Sequence, residues 1–200
     1  MATPKTLTFT STAVVLSFLL SLNEARAQAP GLQAGQTAPN FTLPSVSGNS
    51  YSLYSRKGAA GYVIVFISTQ CPVSNSYNSR YIKLADLAKQ SLMDFVAINS
   101  NATEPLDEVK AHAAEKTFPF PVLKDAGAKV ADAFGAMVTP EVFFLDADFR
   151  LVYRGRIDDN QREEKAVSKD LEEALAAYLG GMRTANKYQQ PKGCIIKKTE

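Results

Sequence analysis

The run Tyr62-Val63-Ile64-Val65-Phe66-Ile67 constrains this chain more than any other feature. It is β-branched and aromatic, uncharged, and too short for a buried helix, so it reads as a strand covered on both faces. Ser68-Thr69-Gln70 lead from it into Cys71-Pro72. From there to residue 89, Tyr77, Tyr81, Leu84 and Leu87 are spaced along one helical face. Pro72 suits the first turn of that helix, where a missing N–H costs nothing. A thiol at a strand-to-helix junction faces unpaired backbone N–H groups, a setting that favours the thiolate. The other cysteine is Cys194, near the end of the sequence.

The remaining pattern surrounds that strand with like elements. Residues 38–44 are extended, and 51–54 return after a Ser47-Gly48-Asn49-Ser50 turn as the second arm of a hairpin. A second apolar strand covers 94–98 and ends at Asn99-Ser100-Asn101. Residues 105–116 read as a helix, 119–123 as an extended stretch interrupted by proline, and 126–134 as a short helix. Strands 142–145 and 151–154 form an antiparallel hairpin around Asp146-Ala147-Asp148. A last helix, 163–179, stops at Gly180-Gly181, and its charges form a solvated face. This order predicts an α/β fold with a mixed central sheet flanked by helices. We expect one domain over 28–183, and a polar, mobile tail over 184–200 that carries Cys194.

The first 27 residues read as an address. Lys5 precedes an apolar core at 13–22, and Ala25-Arg26-Ala27 offers small residues where a signal peptidase cuts. The apolar core is well short of the roughly 20 residues that span a bilayer. The expectation is a secreted protein, periplasmic in a Gram-negative host, with no stable membrane span after cleavage. The formal charge is +2. Near neutrality, without a basic stripe, gives no electrostatic basis for binding nucleic acid. His112 is the sole histidine. No short spacing joins it to the cysteines, and no glycine-rich phosphate loop or Ser-His-Asp set is present, so neither a metal nor another cofactor is expected.

Four stretches resemble the thioredoxin superfamily, and within it the peroxiredoxin-like redoxins of the alkyl hydroperoxide reductase/thiol-specific antioxidant type. They are Ala38-Pro39-Asn40-Phe41, Cys71 at its junction, Val138-Thr139-Pro140-Glu141, and the hairpin from Phe144 to Gly155. The resemblance implies a thioredoxin-like fold with Pro140 in the cis form. That bond would aim the Thr139 carbonyl toward the Cys71 helix terminus. It also implies a thiol peroxidase: Cys71 attacks a peroxide to give a sulfenic acid, Cys194 resolves it as a disulfide, and an external dithiol reduces the bond.

Ser68 stands where peroxiredoxins place a hydroxyl that orients the substrate; as a turn or cap serine it would instead serve the backbone. Arg154 is favoured over Arg156 as the arginine beside the thiolate, whereas Arg80 lies about 13 Å along the helix from Cys71. The departures matter. Cys71-Pro72-Val73-Ser74 lacks the second cysteine of C-x-x-C, Gln70 replaces the usual aromatic residue, and Ile64 stands where peroxiredoxins carry a proline. The extended tail reaches about 40 Å, enough for Cys194 to return to its own Cys71 or to meet that of a neighbour in a homodimer. Two other functions fit the same residues: disulfide exchange with protein partners through Cys71, and a binding module without catalysis. A Cys71–Cys194 bridge that only stabilises the fold is the plainest alternative.

Overall fold

The computed structural model describes Met1, residues 31–182 and residues 188–198. Apart from Met1, the expected leader lies outside the described residues.

The apolar run forms β3 (Gly61–Ile67), and every residue in it is buried. Strand pleating sends Val63, Val65 and Ile67 into one core, and Tyr62, Ile64 and Phe66 into another. β4 (Asp94–Asn99) and β7 (Glu141–Asp146) flank it, and β5 (Val122–Lys124) and β8 (Leu151–Gly155) close the edges. The sheet order is β5-β4-β3-β7-β8. β3, β4 and β5 run parallel, and β7 and β8 add antiparallel pairs. A mixed central sheet of this kind is what the alternation of elements implies.

One core packs beneath α2 (Asn78–Gln90), α3 (Leu106–Glu115) and α5 (Asp170–Leu179). The other lies under α4 (Lys129–Phe134) and the amino-terminal hairpin of β1 (Thr42–Pro44) and β2 (Ser50–Ser52).

Two helices differ from expectation, each for a local reason. The helix after Cys71 is broken into α1 (Pro72–Asn75) and α2. Ser76 donates its hydroxyl to the Val73 carbonyl, its N–H is shared between the Pro72 and Val73 carbonyls, and the Tyr77 N–H reaches back only three residues to Ser74, so the first turn tightens and ends. The last helix begins at Asp170, because Asp159 takes the Val167 N–H on its carboxylate and donates its own N–H to the Ser168 carbonyl. Residues 163–165 keep only a 3-10 turn.

The carboxy-terminal segment is docked, not mobile, over 188–198. Its strand β9 (Cys194–Ile195) pairs antiparallel with β6 (Val138–Thr139). Gln189 bridges to Gly155, and Ile196 is buried in the core under α4. A polar composition suggested solvation; one isoleucine and a row of backbone hydrogen bonds reverse it.

Candidate active site

Cys71 ends the loop after β3, and its side chain caps α1 by accepting the Ser74 N–H at 3.3 Å. With only one turn in α1, the macrodipole behind the thiol is small, and this single N–H is the local feature that favours negative sulfur. Cys71 is joined to Cys194 by a disulfide within the chain, with 5.8 Å between the Cα atoms. The bond exists because β9 lies on β6: Thr139 stands opposite Cys194, and the peptide bond from Thr139 to Pro140 is cis. The Thr139 carbonyl oxygen lies 3.4 Å from Cys71 Sγ, and the buried Thr139 hydroxyl has no hydrogen-bond partner among the described residues. Cys71, Cys194, Thr139 and Pro140 are thus brought together.

Ser68 is close in the chain but differently employed. Its hydroxyl oxygen accepts the Cys71 N–H at 2.9 Å and the Gln70 N–H at 3.2 Å, while its proton goes to Glu104. It serves as a turn serine that shapes the Cys71 loop. Arg154 is buried and ion-paired with Glu141, the residue after Pro140, at 2.8 Å. Its guanidinium also donates to the Gly135 carbonyl and lies 5.2 Å from the Tyr188 ring centre. It therefore braces the strand behind the cis-proline and the start of the docked tail. Arg80 belongs to another assembly: it pairs with buried Asp158 and stacks 3.5 Å from the Tyr77 ring centre. Burial first, and Asp158 second, push the Tyr77 hydroxyl up to about 12.

Beneath the disulfide runs a buried polar chain that sequence reasoning missed. Glu104, 2% exposed, accepts from the Ser68 hydroxyl, the Thr69 N–H at 2.8 Å and the Asn99 amide. Burial raises its pKa, but these donors outweigh burial and hold the carboxyl below its usual value. Lys124 donates to Asn99 at 2.7 Å and to the Asn101 carbonyl at 2.6 Å; burial lowers the pKa of its ammonium, against the pull of Glu104 and Asp125. The Asn101 side chain accepts the Lys197 N–H at 2.9 Å, and the Lys197 carbonyl accepts the Ala102 N–H at 2.7 Å. One network thus supports both the loop that presents Cys71 and the tail that presents Cys194. The only signal in the sequence was Asn99-Ser100-Asn101 at a strand end, where amides have no apolar work to do.

His112 is half-buried against the Phe118 ring, with a ring nitrogen 2.8 Å from the Asn75 side-chain oxygen; burial lowers its pKa. Among the described residues no cluster of three metal-ligating side chains occurs. A cleft of about 490 Å³ opens beside Pro140, with Tyr77, Arg156, Asp158, Arg162 and Lys192 on its walls.

Chemically, two sulfurs poised to form and break one bond, beside a cis-proline, make a two-electron thiol couple. The Redoxin family profile matches residues 33–174. A thiol-disulfide oxidoreductase, ResA, from Halalkalibacterium halodurans is 28% identical over 134 residues, which is 66% of this chain and 74% of the relative. A chloroplastic peroxiredoxin Q from Sedum lineare is 25% identical over 142 residues, 66% of this chain and 75% of the relative. Among solved structures, a hypothetical protein of Sinorhizobium meliloti 1021 superposes with a TM-score of 0.78 at 36% identity, covering 86% of this chain and 98% of that one.

Proposed function

Because this chain belongs to the redoxin family, we propose that it is a secreted thiol–disulfide oxidoreductase in which Cys71 and Cys194 cycle between dithiol and disulfide, exchanging with protein partners. The observation that carries this reading is the β6–β9 pairing, which sets Cys194 opposite Thr139 and against Cys71. The tail thereby supplies the second thiol that Cys71-Pro72-Val73-Ser74 lacks, and Ser74 keeps the interior position, its hydroxyl 3.1 Å from Tyr81 and 3.0 Å from the Ser68 nitrogen. Secretion is supported by the Lys5, 13–22 and Ala25-Arg26-Ala27 pattern.

Peroxide reduction is the second reading, favoured by the same placement of Cys194. Cys71 thiolate would take one peroxide oxygen as sulfenic acid, and Cys194 would displace it as water to form the disulfide. That route requires Ser68 and Arg154 to turn from Glu104 and Glu141 toward the peroxide. The test is to mix the reduced protein with hydrogen peroxide, and separately with a protein carrying an accessible disulfide, and to follow formation of the Cys71–Cys194 bond. Faster oxidation by the protein disulfide supports exchange. Loss of the Cys71 thiol to peroxide far faster than that of a free small thiol, with sluggish exchange, would select the peroxidase.

A further inference from the structure

The two sulfurs of the bond are unequal. Cys71 is 3% exposed, closed in by its own loop, the Thr139 carbonyl and the docked tail. Cys194 is partly exposed on β9, a strand whose only ladder partner among the described residues is β6. The next residue, Ile195, is 77% exposed, and Met137, whose carbonyl accepts the Ile196 N–H, is 42% exposed. An incoming thiol therefore meets Cys194 first, on the face of the strand pair that also carries Met137. The sulfurs also differ as leaving groups. Cys71 Sγ accepts the Ser74 N–H at 3.3 Å, whereas no hydrogen-bond donor reaches Cys194 Sγ among the described residues. In thiol–disulfide exchange the thiolate that is better stabilised leaves faster.

We propose that Cys194 is the entry sulfur: the thiolate of an external reductant attacks Cys194, and Cys71 is the leaving group. This rests on the Cys71–Cys194 couple proposed above and fixes its polarity. A bond forms between the reductant sulfur and Cys194 Sγ, the Cys71–Cys194 bond breaks, and its electron pair departs on Cys71 as thiolate, held by the Ser74 N–H. A second reductant thiolate then attacks the reductant's sulfur in the mixed disulfide. Cys194 is released as thiolate, the reductant is oxidised to its own disulfide, and the protein has gained two electrons. The cysteine at the end of the buried strand is thus the electron-accepting partner inside, and the tail cysteine is the contact with the outside. The reductant class is a protein dithiol with an apolar residue beside its exposed thiol, to match Met137.

Reduced glutathione serves as the probe. The oxidised full chain is mixed with excess glutathione, acid-quenched at increasing times, alkylated and mapped by mass spectrometry. The earliest mixed disulfide is expected on Cys194, with Cys71 alkylated, in about tenfold excess over the opposite pattern. The uncharged, similarly sized variant Met137→Gln should slow opening by a hydrophobic thiol such as thiophenol more than by glutathione, and equal rates of slowing would overturn the apolar match. Glutathione found first on Cys71, or equally on both sulfurs, overturns this inference and leaves the couple standing. A bond that neither glutathione nor dithiothreitol opens in the folded protein overturns the couple and the inference together.

Discussion

A methyl group placed on Gly193 would lie 2.1 Å from the Thr139 carbonyl oxygen and 2.6 Å from its carbon. The tail can approach the cis-proline strand only because the residue before Cys194 has no side chain there. Gly193→Ala should therefore displace β9 and slow closure of the Cys71–Cys194 bond by about tenfold or more, since closure depends on the effective concentration of the tail thiol. Reoxidation of the reduced variant by oxidised glutathione, followed by thiol counting, reads the effect. Closure at the wild-type rate would mean that the strand pairing does not deliver Cys194.

Ile196 tests whether the tail stays docked without its covalent bond. It is 3% exposed in the core beneath α4. Ile196→Ala removes buried methyl groups, at a cost of about 2–4 kcal/mol for a well-packed site. That cost falls on docking of the tail, so in the reduced protein cleavage within 188–198 by a nonspecific protease should rise by about tenfold or more. Unchanged protection would place the anchor elsewhere.

The Arg80–Asp158 pair holds the start of α2 to the loop that walls the cleft beside Pro140. Both side chains are almost wholly buried. Asp158→Ala leaves a guanidinium buried without its carboxylate, and urea unfolding of the oxidised protein should show a loss of about 3–5 kcal/mol. Arg80→Met together with Asp158→Ala should recover much of it. A double variant no better than the single would show that the packing of Tyr77, and not the stranded charge, sets the cost.

Glu104 gives the site an acid limb. Its carboxyl titrates below the ordinary 4.5 in the folded chain. A depressed carboxylate stabilises the fold fully above its unfolded pKa, and that contribution is lost as pH falls through the native value. Glu104→Gln cannot titrate. The stability gap between wild type and this variant should be constant near neutrality and shrink progressively below about pH 4.5. Chemical denaturation at a series of pH values reads the gap, and a gap that holds to about pH 3 contradicts the assignment.

The elements that carry the sheet were legible because each states its environment locally. β3 is continuously apolar since both its faces are covered, and the sequence around Pro140 marks a strand start. The Cys71 junction followed from the same pattern. What was not legible depends on distant partners. Whether Ser68 faces a substrate or its own backbone is decided by Glu104, a residue with no periodic signal. Arg154 looked available until Glu141 was placed beside it. The tail reads as solvated because its apolar anchor is a single isoleucine, and its docking is made of main-chain bonds that composition does not encode. The break after α1 came from hydroxyls that compete for helix carbonyls, an effect finer than hydrophobic spacing.

The disulfide joins residues separated by 123 positions, so the ring it closes contains everything from α1 to β9 and leaves β3 outside. In the chain-entropy treatment such a ring destabilises the unfolded chain by about 5 kcal/mol. Folding and oxidation then form one thermodynamic cycle. Whatever the cross-link adds to the fold, the fold returns as reluctance to be reduced, so each electron pair delivered to this protein also loosens it.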